Sequence, residues 1–157
     1  MRVGIGYDVH RLETGQPCRI GGVTIDHEKG CVGYSDGDPL LHAICDALLG
    51  AAGLGDIGCY FPEGDPMWQG ISSRVLLKKV AAMLSERQYH PVQLDTIVIA
   101  EAPKIAPHVD EMKAIISGCL AIAPEAINIK ATTNERIGFI GRGEGIAAQA
   151  VCTIAHD

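Results

Sequence analysis

Hydrophobic and polar positions alternate at the start of the chain. In Arg2-Val3-Gly4-Ile5-Gly6-Tyr7-Asp8-Val9-His10 the odd positions 3 to 9 are apolar and the even ones are not. Successive strand side chains point to opposite faces, so this is a strand with Val3, Ile5, Tyr7 and Val9 on one side. Asp8 and His10 close it on the other side, beside Gly4 and Gly6, which leave room above the backbone. Cys18-Arg19-Ile20 and Val23-Thr24-Ile25 flank Gly21-Gly22, the pattern of a two-residue hairpin.

The period then changes. Ser35-Asp36-Gly37-Asp38 offers N-caps and Pro39 fits a first helical position. Positions 40, 41, 44, 47, 48 and 51 form an apolar stripe to about Ala52, with Asp38, His42 and Asp46 recurring on the opposite face. A Gly- and Pro-rich stretch from Gly53 to Ile71 reads as one long loop, a length that points to function. A second helix is predicted from Ser72 to Arg87 with Val75, Leu76, Val80, Met83 and Leu84 inward. Further along come a buried strand (Leu94–Ala100), a helix (Pro107–Ile122), a strand (Ile127–Thr132), a helical turn (Asn134–Phe139) and a closing strand (Gly145–Ala155). This succession predicts an α/β chain of the α+β type. It is one domain over residues 1–157, a mostly four-stranded mixed sheet with helices on one face and a small β-hairpin.

Composition trims the functional classes. With 157 residues and 47% hydrophobic content, the chain can bury a core without metal or disulfide support. A metal here is therefore expected to be functional. The formal charge of −6 argues against nucleic acid or an anionic membrane as partner. Six cysteines without a Cys-x-x-Cys pair, and no signal, transit or membrane-length segment, predict free thiols in a cytoplasmic protein.

Candidate chemistry lies in three places. Asp8, His10 and His42 make a three-ligand set suited to zinc, with a coordination position left for substrate. Asp46, one turn beyond His42, is a candidate to orient an imidazole, or a solvated residue. Thr132-x-x-Glu135 matches a capping box, and equally a helix N-terminus that seats a phosphate beside a carboxylate for a hard cation. The Gly138–Gly145 run is either a tight turn or a setting for Arg142 to meet a phosphate or carboxylate. Two His and a carboxylate also describe non-haem iron oxygenases, and a noncatalytic trimeric binding module with Arg142–Glu144 ion pairs is a third class.

Several segments together resemble one family. They are Gly6-Tyr7-Asp8-Val9-His10, Ser35-Asp36-Gly37-Asp38 through His42, Asp46 to Ala51, Gly55-Asp56-Ile57-Gly58, Phe61-Pro62, Ala102-Pro103-Lys104, Lys130-Ala131-Thr132-Thr133 and Gly141-Arg142-Gly143-Glu144-Gly145. Across the whole chain and in order, they are similar to the 2-C-methyl-D-erythritol 2,4-cyclodiphosphate synthases of the non-mevalonate isoprenoid pathway. The resemblance implies metal-assisted intramolecular phosphoryl transfer on 4-diphosphocytidyl-2-C-methyl-D-erythritol 2-phosphate, releasing CMP, a phosphorus–oxygen lyase reaction. It implies zinc on Asp8, His10 and His42, and a second divalent ion, magnesium or manganese, on Glu135. Thr133 matches a position that stabilises the transition state. Tyr34, the second catalytic candidate, stands where the family often has a His linked to transition-state stabilisation, and a phenol donates a hydrogen bond at neutral pH but brings no cation.

Substrate contacts are implied for Asp8, Val9, His10, Tyr34, Ser35, Asp56, Ile57, Gly58, Phe61, Pro62, Glu63, Gly64 and Asp65. Those implied for the cytidine and diphosphate are Ala100, Glu101, Ala102, Pro103, Lys104, Ile105, Ala106, Thr132, Thr133, Asn134 and Glu135, with Phe139 and Arg142. A homotrimer with intersubunit sites is implied as well.

Overall fold

The computed structural model describes residues 1–156. A long first strand, β1 (Arg2–Thr14), is followed by the hairpin β2 (Cys18–Ile20) and β3 (Val23–Ile25), then the short β4 (Lys29–Cys31). Helix α1 (Pro39–Ala52) precedes α2 (Ile57–Tyr60), a 3-10 turn at Pro66–Trp68, and α3 (Ser73–Ser85). Strand β5 (Tyr89–Ile99), helix α4 (Val109–Leu120), strand β6 (Ile127–Thr132), the single turn α5 (Gly138–Gly141) and strand β7 (Gly145–His156) complete it. The main sheet has the order β4-β1-β7-β5-β6, parallel only between β5 and β6. The four predicted long strands are all in it, and β4 adds a fifth at the edge. The β2–β3 hairpin forms a separate two-stranded sheet.

All three long helices cover one face. Helix α1 lies over β1 and β7, α3 packs beside it, and α4 packs beside α3 and against β6. The approach of α1 to β1 is set by glycine. A Cβ at Gly4 would stand 1.9 Å from the Ala47 carbonyl oxygen, and one at Gly6 would stand 1.9 Å from that of Ala43. The space beside Asp8 and His10 is thus filled by the α1 backbone, which brings His42 level with the end of this glycine track.

Several expectations are corrected. Strand β1 does not close at His10 but runs on to Thr14, because β4 pairs with Leu12, Glu13 and Thr14. Helix α1 is not amphipathic in place: twelve of its fourteen residues are buried, His42 among them, since the sheet, α3 and the hairpin enclose it. In α3, Leu77 rather than Val75 points inward, and Val75 is exposed. The 53–71 stretch is organised by side-chain caps: Asp56 accepts from Cys59 N–H at 3.2 Å and Asp65 from Met67 N–H at 3.0 Å.

Buried Leu40, Leu41, Ile44, Leu48 and Leu49 anchor α1, each stabilising by about 2 kcal/mol relative to exposure. Asp38 caps the helix and ties it to the hairpin. Its carboxylate accepts from Leu41 N–H at 3.0 Å, Gly21 N–H at 2.9 Å and Gly22 N–H at 2.6 Å. Burial pushes this carboxyl above its ordinary value, against the pull of the three N–H groups. All six cysteines are free.

Candidate metal centre and two adjoining cavities

Asp8 and His10 project from the helix-facing side of β1, and His42 faces them from the second turn of α1. Asp8 Oδ2 lies 2.8 Å from His10 Nε2 and 3.0 Å from His42 Nδ1, and the two nitrogens are 3.0 Å apart. Around a tetrahedral cation with bonds of about 2.0–2.1 Å, neighbouring ligand atoms stand about 3.3 Å apart. The triangle is slightly tighter than that and opens with a small shift. His10 Nδ1 donates to the Val32 carbonyl at 2.7 Å, so in the neutral ring its Nε2 carries a lone pair aimed at the other two ligands. Among the described residues this trio is the one cluster of three or more His, Cys, Asp or Glu side chains placed to hold a metal ion. The donor set fits a cation of the zinc type.

Electrostatics tell the same story. Burial acts to raise the Asp8 carboxyl, but hydrogen bonds and charge from His10 and His42 outweigh it and hold the group well below its ordinary value. Burial acts to lower His10, yet the Asp8 hydrogen bond and charge, with the Val32 carbonyl, lift it above its ordinary value. The site thus recruits positive charge. Cys31 is no competing ligand: burial, then the neighbouring Cys18, Asp38 and Asp8, push its thiol up to about 12.

The trio opens into a cavity of about 140 Å³. Of the predicted contacts, Tyr34, Ser35, Ile57, Gly58, Phe61 and Glu63 line it beside Asp8, His10 and His42. Val9 does not, because it points to the opposite face of the sheet. Pro62, Gly64, Asp56 and Asp65 also stay outside it. Two lining residues were missed by sequence reasoning, Trp68 and Leu76. Trp68 meets Phe61 edge-on at 5.0 Å and lies under Lys79 Nζ at 5.6 Å, so the 57–68 segment forms an apolar wall. Its cue was an aromatic residue in an otherwise Gly- and Pro-rich loop.

A second cavity, of about 290 Å³, lies at the ends of β5 and β6 and shares no lining residue with the first. Ala100, Glu101, Pro103, Lys104, Ile105, Ala106, Thr132 and Thr133, all among the expected cytidine and diphosphate contacts, line it together with Ala131. Ala102, whose bond to Pro103 is cis, is outside, as are Asn134, Glu135, Phe139 and Arg142. The predicted capping box at Thr132 and Glu135 does not form. Glu135 and Arg136 instead adopt left-handed backbone, with φ of 51° and 61°.

The phosphate seat predicted there is also corrected, because its N–H groups are engaged. Glu101 Oε1 accepts from Asn134 N–H at 2.9 Å and Arg136 N–H at 3.2 Å, while Glu135 N–H reaches Thr133 Oγ1 at 3.2 Å. Asp46 does not orient His42 either. It accepts from Ile57 N–H at 2.8 Å and so anchors α2 to α1. Arg142 pairs with Glu144 in its own chain, Nε to Oε1 at 2.7 Å, on the surface.

A model of the YgbB family matches residues 1–155. The 2-C-methyl-D-erythritol 2,4-cyclodiphosphate synthase of Chloroherpeton thalassium is 56% identical over 154 residues, 98% of this chain and 98% of that one. The chain belongs to the YgbB family of 2-C-methyl-D-erythritol 2,4-cyclodiphosphate synthases. Solved structures of this family share the fold. The bifunctional IspDF of Campylobacter jejuni superposes with a TM-score of 0.95 at 37% identity, over 99% of this chain and 42% of that one. A 2C-methyl-D-erythritol-2,4-cyclodiphosphate synthase in a CDP-bound form gives 0.90 at 34% identity, over 98% of this chain and 100% of that one. Family membership makes the protein an enzyme, which removes the noncatalytic binding module. The α+β sheet likewise leaves no jelly-roll barrel for the oxygenase reading.

Proposed function

We propose that the enzyme converts 4-diphosphocytidyl-2-C-methyl-D-erythritol 2-phosphate to the 2,4-cyclodiphosphate in the non-mevalonate isoprenoid pathway. The 2-phosphate oxygen attacks the β-phosphorus, the β-phosphorus–oxygen bond to CMP breaks, and CMP leaves. This is a cyclising phosphorus–oxygen lyase reaction. The observation that carries the reading is the Asp8–His10–His42 convergence at the mouth of an apolar-walled cavity, in a chain 56% identical to a named synthase.

An intramolecular attack asks for folding of two repelling anions rather than for covalent catalysis, and in-line positioning contributes roughly 7–11 kcal/mol. When bound, zinc on the triad and magnesium or manganese on Glu135 supply Lewis-acid polarisation and neutralise phosphate charge. The remaining work falls to the chain. Ile57, Phe61, Trp68 and Leu76 wall the first cavity and exclude water, which would otherwise divert the β-phosphorus to hydrolysis. Tyr34 and Ser35 offer hydroxyl donors at its mouth. Lys104 supplies a cation in the second cavity, where Thr133 directs its hydroxyl to the reacting phosphoryl group as the transition-state contact. The CDP complex of a family member supports a cytidine nucleotide as the ligand, and the resemblance of residues 100–106 assigns it to that second cavity.

The enzyme acts as a homotrimer with sites between subunits. Support comes from the sheet face that no helix covers: Val3 is 68% exposed, Ile5 70% and Tyr7 50%, with Val9 and Val151 beside them. A single protomer keeps its two cavities apart, so a neighbour's second cavity completes the first. No helix among the described residues is long and apolar enough to cross a membrane. A cytoplasmic location accords with six free thiols.

Incubating the purified protein with this substrate, zinc and magnesium should yield CMP and the cyclic diphosphate in equal amounts by phosphorus NMR. Unconsumed substrate, or a linear hydrolysis product, would refute the assignment.

A further inference from the structure

We propose that Asp36 and Ser73 lock the His42 imidazole in its Nε2–H form, so that the Nδ1 lone pair faces the cation site. The proposal rests on reading the Asp8–His10–His42 trio as that site. It assigns Asp36 as a positioning residue that acts on the metal centre through two intervening groups.

A count of protons around His42 fixes the tautomer. His42 Nε2 has two hydroxyl neighbours, Ser73 Oγ at 2.8 Å and Ser35 Oγ at 3.0 Å. Either could donate to the ring or accept from it. Ser73 is fully buried and engages Asp36 twice: its hydroxyl donates to Oδ1 and its backbone N–H donates to Oδ2 at 2.9 Å. An ionised carboxylate only accepts, so the single hydroxyl proton of Ser73 is committed to Asp36. Toward His42, then, Ser73 Oγ can act only as an acceptor, which requires the proton on Nε2. In the neutral ring Nδ1 is then left with its lone pair, 3.0 Å from Asp8 Oδ2, to which only the imidazolium could donate, and 3.0 Å from His10 Nε2.

The same count bears on Ser35. With Nε2 already a donor, Ser35 Oγ can only share that proton, so its own hydroxyl hydrogen is available to a ligand in the cavity it lines. Asp36 is in turn held in place by its backbone N–H, which donates to the Ile71 carbonyl at 3.1 Å. The arrangement gives His42 the outer partner that a metal-binding imidazole needs to fix its tautomer, here through a serine bridge.

The test is Asp36→Asn, which keeps size and removes one acceptor oxygen. The amide oxygen must serve the Ser73 N–H, so the amide NH2 faces Ser73 Oγ and donates to it. Ser73 then turns its own proton onto His42 Nε2. Long-range proton–nitrogen NMR of zinc-free protein at mildly alkaline pH should show Nε2–H for His42 in wild type and Nδ1–H in Asp36→Asn. Zinc affinity, by chelator competition, should fall about 10- to 100-fold in Asp36→Asn and in Ser73→Ala. Nδ1–H in wild type, or an Asp36→Asn protein with unchanged tautomer and zinc affinity, would overturn the lock. A wild type that binds no zinc would refute the cation site itself, and the tautomer measurement still decides the lock separately.

Discussion

At the scale of single residues, the candidate centre rests on three polar side-chain atoms crowded together. Asp8 Oδ2, His10 Nε2 and His42 Nδ1 lie within 3.0 Å of one another, an arrangement that a cation relieves. Replacing His42 by Ala is expected to abolish stoichiometric zinc by elemental analysis while the far-ultraviolet circular dichroism stays that of wild type, since the core does not depend on the site. Full zinc content in that variant would contradict the ligand role. Asp38 presents the opposite case, a carboxylate spent on structure. Asp38→Ala leaves two buried N–H groups and one half-buried one without partners and is expected to cost about 3 kcal/mol in denaturant unfolding. A change under about 1 kcal/mol would show that water reaches those groups.

At the scale of elements, the glycine track on β1 decides where α1 sits, and α1 decides where His42 sits. Gly6→Ala places a methyl against the Ala43 carbonyl and is expected to destabilise by on the order of 4 kcal/mol. Gly64, with nothing within 4 Å, pays only for its φ of 93°, so Gly64→Ala should cost about 1 kcal/mol. Comparable denaturation midpoints for the two variants would contradict the packing account. The loop after β6 depends on Glu101 in a similar way. Both of its hydrogen bonds use Oε1, so Glu101→Gln should hold CDP as wild type does, whereas Glu101→Ala should weaken it about tenfold by calorimetry. Equal affinity in Glu101→Ala would remove that role.

What was legible in the sequence follows from what is local. β6 spans Ile127–Thr132 as its pattern predicts, and the hairpin and the start of α1 follow their turn and capping residues. The pairing of Asp8 with His10 on β1 was legible because a period of two puts both on one face. What was hidden depends on partners far along the chain. The false capping box at Thr132–Glu135 yields to Glu101, more than 30 residues earlier. The Asp36–Ser73 bridge spans 37 residues, and neither partner has a local pattern that links them.

At the scale of the whole molecule, the apolar row Val3, Ile5, Tyr7 and Val9 looks away from the helices and is left uncovered within one chain. Pattern alone shows that these residues share a face, but it cannot say which face receives the helices. Sedimentation of wild type should give three times the chain mass, and Ile5→Glu should give single chains that keep zinc but lose turnover. Single chains in wild type would remove the shared site.

The most direct measurement of the central claim is anomalous diffraction at the zinc edge from crystals supplied with zinc. The account predicts one strong peak per chain within bonding distance of Asp8 Oδ2, His10 Nε2 and His42 Nδ1. Those three side chains turned apart, with no peak between them, would contradict it.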